Sequence, residues 1–334
     1  MNWAFVGAST IASQYVLEAV RAQDGNDVTW VVSGSAERGR GWADAHGIAN
    51  ATTDLAQALA DDRVSAVYIS STNEKHHPQA LAAISAGKHV LCEKPLGMSV
   101  AEAQDMMSAA QTAGLVFGTN HHLRCSGAHR AMRDVIADGR IGRVLSLRIF
   151  HAVHLPPHLQ GWRINDASAG GGVIPDITVH DADVARFLLG EDPVDVVAQM
   201  GVSGMGDGVE DSAMSVWSMP SGAMVMSHES FTHPYAGSGV EVHGDKGSIF
   251  ARGVMTQEPV GEIELVTDVG REALSFSDHS LYEQGVADFV AAIAGQGRPA
   301  ADGLDGVKSL AVALAVREAA QTGRRVTVDY GDVT

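Results

Sequence analysis

The chain has 334 residues, of which 45% are hydrophobic and 19% are charged. This composition predicts a folded protein with a large core, and the length favours about two domains. The 40 Asp and Glu residues outnumber the 23 Lys and Arg residues, which gives a formal charge of −17. That charge argues against a nucleic-acid or acidic-membrane partner, because both need a positive surface.

Cysteine usage and the N-terminal pattern predict a cytoplasmic protein. The chain contains two cysteines, too few for a disulfide framework, so we expect reduced thiols. Residues 1–7 already have the pattern of a core strand, which leaves no room for a cleaved signal sequence. No apolar run reaches the length of a membrane span. The charge does not decide between a monomer and a homo-oligomer.

Residues 1–120 alternate short apolar runs with helix-like segments. The runs are apolar on both faces, as expected for parallel strands that are covered by helices. Several of the helical segments end in glycine, a common helix stop. The alternation predicts an α/β fold class, with an N-terminal dinucleotide-binding Rossmann domain and a doubly wound parallel sheet. The predicted strands are NWAFVG, DVTWVVS, AVYIS, KHVLC and LVFGT.

From residue 121 the pattern changes to longer alternating runs, joined by Gly, Pro, Asp or Ser turns. Period-two alternation of this kind predicts antiparallel strands. We therefore expect residues 121–334 to form a substrate-binding α+β domain with a large, mostly antiparallel open sheet. Helices are predicted at 127–142 and near 176–189, 281–295 and 304–321.

The segment FVGASTIA places a glycine turn between the first strand and the first helix. Gly7 follows the strand, and the small residues Ser9 and Ala12 permit a pyrophosphate and the helix to approach closely. Ser9, Thr10 and Ile11 present backbone N–H groups at the helix start, where the dipole stabilises a phosphate. The alternative is an ordinary strand–helix turn that is capped by Ser9 or Thr10.

The end of the second strand favours NADP over NAD. An NAD enzyme usually carries Asp or Glu here to bind the ribose hydroxyls, whereas this chain has Ser33 followed by Gly34. Ser33 can donate a hydrogen bond to a 2′-phosphate, and Arg38 can supply positive charge. Glu37 complicates this interpretation, although acids are common in a first helical turn. The alternative for Arg38 is a solvated surface arginine.

The sequence VLCEKPLGMS places Glu93 and Lys94 just past the carboxyl end of a buried strand, where open α/β sheets bind their ligands. A lysine there, partly desolvated and near a cationic nicotinamide, could act as a general acid in carbonyl reduction. Pro95 would fix the chain direction after it. The alternative is a loop salt bridge from Glu93 to a neighbour.

Polar residues that follow other strands complete the predicted cofactor site. Ser71, Thr72 and Asn73 could line the pyrophosphate and ribose, His76 begins the next helix, and Asn120 follows the last strand. The adjacent histidine pairs at 76–77 and 121–122 do not form chelates, because neighbouring side chains diverge. With two cysteines and no HExxH motif, no metal site is predicted.

In the second half, a glycine run precedes an acid and a histidine in the sequence AGGGVIPDITVH. Glycines allow the backbone to pass close to a ligand. Asp176 and His180 are four residues apart on a predicted helix, so they share one face and could bind a substrate hydroxyl and transfer a proton. The alternatives are a helix N-cap for Asp176 and a packed core histidine for His180.

Four further residues are secondary candidates. Trp162 could pack on the nicotinamide or a sugar ring, and Arg163 could bind the nicotinamide amide. His151 and Tyr282 are predicted to contact substrate. Aromatic and basic residues in a sheet are more often structural, which is the alternative for this group.

The glycine turn, the EKP sequence and the GGG…D…H pattern together resemble the Gfo/Idh/MocA oxidoreductase family. The resemblance covers nearly the whole chain. It implies a Rossmann domain followed by an α/β domain with a large open sheet, with Lys94 as the family lysine and Asp176 and His180 as its acid–histidine pair. The chain departs from the family at Ser9 and Thr178, where glycine is usual.

The residues by themselves predict an NADP-dependent carbonyl reductase, and the resemblance implies that the carbonyl belongs to a keto-sugar, reduced by hydride transfer from NADPH. Lys94 and His180 would assist protonation of the alkoxide, and Asp176 would position the sugar; the sequence does not decide which of the first two donates the proton. One alternative is an NAD(P)-dependent inositol or aldose dehydrogenase of the same family. Another is a non-catalytic NADP-binding regulator, which could dispense with Lys94 or His180.

Overall fold

The structure is a computed structural model that describes residues 1–332. The described chain divides into two compact units. The first unit comprises Met1–His121 and Tyr282–Val307, and the second comprises His122–Leu281 and Lys308–Asp332. The sequence assigned 1–120 and 121–334 to the two domains, and the last two of those residues lie outside the described part.

The unit assignment differs from the sequence-based one because the chain returns to the first unit. Residues Tyr282–Val307 carry Phe289, whose ring centroid lies 5.5 Å from that of Trp3 in the first strand. A side chain at Gly118 would come within 3.0 Å of the same phenylalanine. Phe289 and Trp3 are both fully buried. A late apolar segment therefore completes the first core, which local sequence patterns could not indicate.

Within residues 1–332, the first unit contains a six-stranded parallel sheet in the order β3-β2-β1-β4-β5-β6. The five predicted strands are present, so the predicted doubly wound sheet is confirmed. The short β3, with the sequence NAT, was missed because it has no apolar run. The strand bounds are β1 (Asn2–Val6), β2 (Asp27–Val32), β3 (Asn50–Thr52), β4 (Val64–Ile69), β5 (His89–Cys92) and β6 (Phe117–Thr119).

Helices follow the strands of this sheet as predicted. A π-helical turn (Ala12–Val16) continues into the first helix, and two later helices end at a left-handed Gly47 or Gly114. The bounds are α1 (Leu17–Arg21), α2 (Ala36–His46), α3 (Leu55–Leu59), α4 (His76–Ser85) and α5 (Val100–Ala113).

The second unit is built on a sheet of nine described strands in the order β14-β13-β12-β11-β7-β10-β9-β8-β15. Neighbouring strands are antiparallel except β7 and β10, which are parallel, so the predicted mostly antiparallel sheet is confirmed. The bounds are β7 (Val144–Ala152), β8 (Asp195–Gly201), β9 (Ser212–Ser218), β10 (Met224–Ser230), β11 (Ser238–Gly244), β12 (Gly247–Arg252), β13 (Glu262–Thr267), β14 (Gly270–Ala273) and β15 (Val326–Thr327).

One face of this sheet is covered and the other is open. Along β9, Ala213, Ser215 and Trp217 are buried, whereas Met214 and Val216 between them are exposed. A π-helical turn (Ile174–Thr178) continues into α8 (Val179–Leu189), which is buried along most of its length. The remaining helices are α6 (Gly127–Ala137), α7 (Trp162–Asn165), α8 (Val179–Leu189), α9 (Leu281–Ile293) and α10 (Gly303–Thr322). No helix among residues 1–332 is both long and apolar enough to cross a membrane.

Candidate active site

Gly7 brings the turn after β1 against the loop after β4. Its φ is +114°, a conformation that favours glycine, and its N–H donates to the Val32 carbonyl at 2.9 Å. A Cβ at this position would lie 2.7 Å from the Ser70 carbonyl carbon and 2.9 Å from the Ser71 nitrogen. The position therefore excludes other residues on both conformational and steric grounds.

The Ser9 hydroxyl stabilises the same turn. It donates to Ser70 Oγ at 2.8 Å and accepts from the Ala12 N–H at 3.2 Å. This second contact caps the helix start, as the alternative from the sequence envisaged. A serine can thus replace the usual glycine without loss of the turn. Backbone N–H groups at this helix start are suited to bind a pyrophosphate, with no requirement for the Ser9 side chain.

Ser33 and Arg38 lie together at the end of β2. Arg38 Nε donates to Ser33 Oγ at 3.2 Å, and Ser35 caps α2 by accepting from the Arg38 N–H. A Cβ at Gly39 would lie 3.0 Å from Ser33 Cβ, so this glycine lets the helix approach the serine closely. Ser33 is buried, whereas Gly34 and Arg38 are exposed. A hydroxyl and a guanidinium thus stand where NAD enzymes usually carry a carboxylate.

His76 connects the loops that follow β4 and β5. Its Nδ1 lies 2.8 Å from the Pro95 carbonyl oxygen, and its Nε2 lies 3.2 Å from that of Ser71. The ring is fully buried, and burial lowers the pKa of His76. The imidazole therefore contacts both loops and can donate its one N–H to either carbonyl, and a direct contact with the cofactor stays a prediction.

The other predicted residues of the β4 loop make local hydrogen bonds. Ser71 Oγ donates to Gln79 Oε1 at 2.6 Å, and Thr72 Oγ1 donates to Glu74 Oε1 at 2.8 Å. Asn73 is buried within the short helical turn that follows. These bonds fix the loop at the carboxyl end of β4, the edge at which open α/β sheets bind ligands.

Glu93 joins three strand ends of the first unit. Its Oε1 accepts from the Tyr68 hydroxyl at 2.7 Å and from Asn120 Nδ2 at 2.5 Å. Burial raises the pKa of Glu93, whereas these two hydrogen bonds and the charge of Lys94 lower it. The Asn120 N–H donates to the Cys92 carbonyl at 2.8 Å. These bonds position the backbone that precedes Lys94. Lys94 is half-buried, and the peptide bond between it and Pro95 is cis.

Tyr282, predicted to contact substrate, packs in the core of the first unit. Its side chain is 2% exposed, and its ring stacks on that of Tyr15 at a centroid distance of 4.7 Å. The interplanar angle is 22°. The structure therefore gives this tyrosine a packing role.

In the second unit, the glycine run packs closely against other parts of the same chain, namely the backbone near Trp162 and the side chain of Glu210. Gly172 has φ +115°, and a Cβ there would lie 2.4 Å from Glu210 Oε1. The N–H of Ile174 donates to that oxygen at 3.3 Å, and the N–H of Val173 donates to the Glu210 carbonyl at 2.9 Å. A Cβ at Gly171 would lie 2.6 Å from the Trp162 carbonyl oxygen. Glu210, which the sequence did not single out, thus fixes the start of the turn that carries Asp176.

Asp176 lies with Arg163 and Trp162. Arg163 Nε is 3.4 Å from Asp176 Oδ1, and the guanidinium carbon is 4.7 Å from the centre of the Trp162 ring. Asp176 occupies the π-helical turn rather than a regular α-helix, and Pro175 within that turn lacks an N–H. The structure therefore joins three predicted residues into a polar and aromatic group suited to a sugar hydroxyl and ring face.

His180 belongs to a cluster of imidazoles in the second unit. Its ring centroid lies 5.0 Å from that of His122 and 6.2 Å from that of His151. His129 on α6 is fully buried, and burial, together with the nearby His151, lowers its pKa to about 4. His151 Nδ1 lies 2.9 Å from Asp181 Oδ1. The sequence singled out His151 and His180 but gave no role to His122, His129 or Asp181, which share no motif spacing with them.

Comparison with family models decides the classification of the chain. The model described as an oxidoreductase family with an NAD-binding Rossmann fold matches residues 1–121. The model of the GFO/IDH/MocA C-terminal domain matches residues 129–250. The chain belongs to the Gfo/Idh/MocA oxidoreductase family. The Gly7 turn packs against the backbone of the loop after β4 and leads into a helix start. This arrangement fits the dinucleotide that the Rossmann fold of this family binds.

Similar proteins include sugar and inositol oxidoreductases. The chain is 52% identical over 331 residues to 1,5-anhydro-D-fructose reductase of Ensifer adhaerens, with 99% of each chain covered. It is 31% identical over 300 residues to inositol 2-dehydrogenase of Rhizobium meliloti, covering 86% of this chain and 87% of the relative. The crystal structure of aldose-aldose oxidoreductase from Caulobacter crescentus shares the fold, with a TM-score of 0.90, 24% identity and coverage of 98% and 99%.

Proposed function

We propose that the chain reduces the 2-keto group of 1,5-anhydro-D-fructose to give 1,5-anhydro-D-mannitol, with NADPH as the hydride donor. The observation that carries this proposal is the 52% identity to the Ensifer adhaerens reductase across 99% of both chains. The inositol and aldose enzymes are much less similar over their aligned lengths. The substrate is thus a small polyhydroxylated ketone.

The preference for NADPH rests on the end of β2. Ser33 and Arg38 offer a hydroxyl and a guanidinium 3.2 Å apart, and both groups can donate to a 2′-phosphate. An arginine pairs well with phosphate because its planar group can donate two parallel hydrogen bonds. A carboxylate at Ser33 would instead repel the phosphate. Glu37 lies in the exposed first turn of α2, four residues after Ser33.

The bound nicotinamide supplies a hydride to the carbonyl carbon, so the chain must provide a proton for the oxygen. Lys94 and His180 are the candidate donors. Glu93, Tyr68 and Asn120 hold the backbone before Lys94, and the imidazoles of His122 and His151 flank His180. Asp176, paired with Arg163, would accept hydrogen bonds from sugar hydroxyls, and Trp162 would pack on the sugar or the nicotinamide.

A second candidate function is that of an inositol dehydrogenase, favoured by the 31% identity to the Rhizobium meliloti enzyme. The residues at the end of β2 argue against it, because they lack the carboxylate that usually binds the NAD ribose. A non-catalytic NADP-binding regulator is disfavoured because the chain has both Lys94 and His180.

The test is to mix the purified protein with 1,5-anhydro-D-fructose and to follow cofactor absorbance, first with NADPH and then with NADH. Rapid oxidation of NADPH and slow oxidation of NADH is the expected result, and analysis of the product alcohol should identify 1,5-anhydro-D-mannitol. Equal rates with NADPH and NADH would support the reductase activity but contradict the proposal that Ser33 and Arg38 recognise the 2′-phosphate of NADPH. Turnover of myo-inositol with NAD⁺, in place of the ketone, would favour the second function.

A further inference from the structure

A chain of four buried polar side chains lies behind the imidazole cluster of the second unit. His151 Nδ1 is 2.9 Å from Asp181 Oδ1, and Ser227 Oγ is 2.9 Å from Asp181 Oδ2. The same serine oxygen is 2.6 Å from Glu229 Oε1. Asp181, Ser227 and Glu229 are each 0% exposed, and the short distances show that they contact one another directly. Asp181 lies on α8, Ser227 and Glu229 on β10, and His151 on β7.

The protons available to this chain do not allow both carboxyl groups to be ionised. Ser227 has a single hydroxyl proton, which it can donate to either Asp181 or Glu229. If both acids were ionised, one of the two short contacts would bring a lone pair of the serine against a buried carboxylate. Such a contact is unfavourable between fully buried groups. One carboxyl group therefore carries a proton and donates it to the serine oxygen.

The surroundings assign that proton to Glu229. Asp181 contacts an imidazole nitrogen as well as the serine hydroxyl, and each of these groups can donate a hydrogen bond that stabilises an anion. In the described part of the chain, Glu229 contacts Ser227, Thr178 and Asp181, and none of these side chains is a cation. Burial raises the pKa of Glu229 well above its ordinary range, and the charge of Asp181 raises it further. Thr178, at the position where the family usually has glycine, lies beside this carboxyl group.

We propose that Asp181 is a positioning residue for the reduction, kept ionised by a protonated Glu229, and that it holds His151 in the tautomer with the proton on Nδ1. Ser227 passes the hydrogen bond from Glu229 to Asp181. In this tautomer Nε2 of His151 is the atom that can accept or release a further proton. The kinetic consequence of this inference rests on the proposed function. The protonation of Glu229 and the tautomer of His151 do not, because both can be measured in the protein without substrate.

Other titratable groups face this network and must be considered in any pH profile. His180 and His122 belong to the same imidazole cluster, and His129 of α6 lies near His151. His228 of β10 lies near Asp181 and near His233. A shift in the pH profile of a variant is therefore assigned to the network only after the tautomer of His151 has been read directly.

The first experiment uses the full chain without substrate. Infrared difference spectra between wild type and Glu229→Gln are expected to show the carbonyl band of a protonated carboxylic acid that the variant lacks. Nitrogen NMR of the histidine rings is expected to show the Nδ1–H tautomer for His151 in the wild type. In Asp181→Asn, the population of that tautomer is expected to fall. Absence of the acid band, or an Nε2–H tautomer in the wild type, would overturn the proposal. The infrared comparison remains decisive if Asp181→Asn fails to fold.

The second experiment measures steady-state kinetics with 1,5-anhydro-D-fructose across pH. Asp181→Asn is expected to lower kcat by about 100-fold with little change in the KM for NADPH, because a displaced His151 would disturb His180, the candidate proton donor whose ring centroid lies 6.2 Å away. Asp134→Asn, an exposed acid on α6, is the control and should match wild type. An unchanged kcat and pH profile in Asp181→Asn would contradict the positioning role. If wild type itself does not reduce the sugar, the proposed function fails, whereas the spectroscopic experiment still decides the network.

Discussion

Arg38 Nε donates a hydrogen bond to Ser33 Oγ at 3.2 Å, so the guanidinium and the hydroxyl at the end of β2 form one polar group. Their five-residue separation is bridged by the capped first turn of α2. This group stands at the place where a Rossmann fold discriminates between the ribose hydroxyls of NAD and the phosphate of NADP.

Removal of the Arg38 side chain should weaken NADPH binding selectively. Arg38→Ala is expected to raise the Kd of NADPH by about tenfold or more, the effect of a lost charge-assisted hydrogen bond, and to leave that of NADH within about twofold. Arg40→Ala is the control, because Arg40 is exposed on the same helix and pairs with Asp44. Fluorescence titration gives both constants. An equal loss for the two cofactors would show that Arg38 does not recognise the phosphate.

Gly7→Ala should destabilise the first unit through steric overlap as well as backbone strain. The new Cβ would lie 2.7 Å from the Ser70 carbonyl carbon, which belongs to the backbone and cannot rotate away. We expect a loss of about 3 kcal/mol or more in the free energy of unfolding, a large value for a single substitution. Gly25→Ala is the control, since Gly25 has positive φ but open space around it. It should cost about 1 kcal/mol. Denaturant unfolding curves that coincide for the two variants would contradict the steric argument.

Substitution of Lys94 should separate chemistry from cofactor binding. Lys94→Ala is expected to lower kcat by about 10²-fold or more, the usual size of a general acid contribution, while the Kd of NADPH changes far less. Lys75→Ala, an exposed lysine of the turn before α4, should behave as wild type. The measurement is turnover with 1,5-anhydro-D-fructose beside a cofactor titration. Near-normal turnover in Lys94→Ala would remove this residue from the proposed proton transfer and leave His180 as the candidate.

His129 should make the protein less stable in acid. Its pKa is lowered from 6.5 to about 4 in the folded protein, so the unfolded chain binds a proton first as the pH falls. Above about pH 6.5 the ring is neutral in both states and contributes nothing to the pH dependence. Between that value and about pH 4 the unfolding free energy falls, by about 3 kcal/mol in all.

The measurement for His129 is the unfolding free energy of wild type and His129→Leu between pH 7 and pH 4. We expect the leucine variant to lose less stability over this interval, because it cannot bind a proton in the unfolded state. His158→Leu replaces an exposed histidine and should keep the wild-type slope. Parallel curves for wild type and His129→Leu would contradict a buried neutral ring at position 129.

Several features of this protein could be predicted from local sequence because their causes are local. The strands of the first sheet are short runs that are apolar on both faces, and Gly47 and Gly114 end helices by adopting a left-handed conformation. Ser33 and Arg38 are joined through a single helical turn, so their proximity follows from their spacing. The glycine turn at residue 7 depends on a strand, a tight turn and a helix that are consecutive in the chain.

Tertiary structure alone decided which polar side chains serve the fold and which are placed for chemistry. Asp181 of α8 meets Ser227 of β10 across 46 residues, and Ile174 meets Glu210, which precedes β9, across 36 residues, because each contact joins segments that are far apart in the chain. No periodicity encodes such contacts, since each strand pattern specifies burial but not the partner it will find. For the same reason the stacking of Tyr282 on the ring of Tyr15 could not be predicted from the sequence, which assigned this tyrosine to the substrate site.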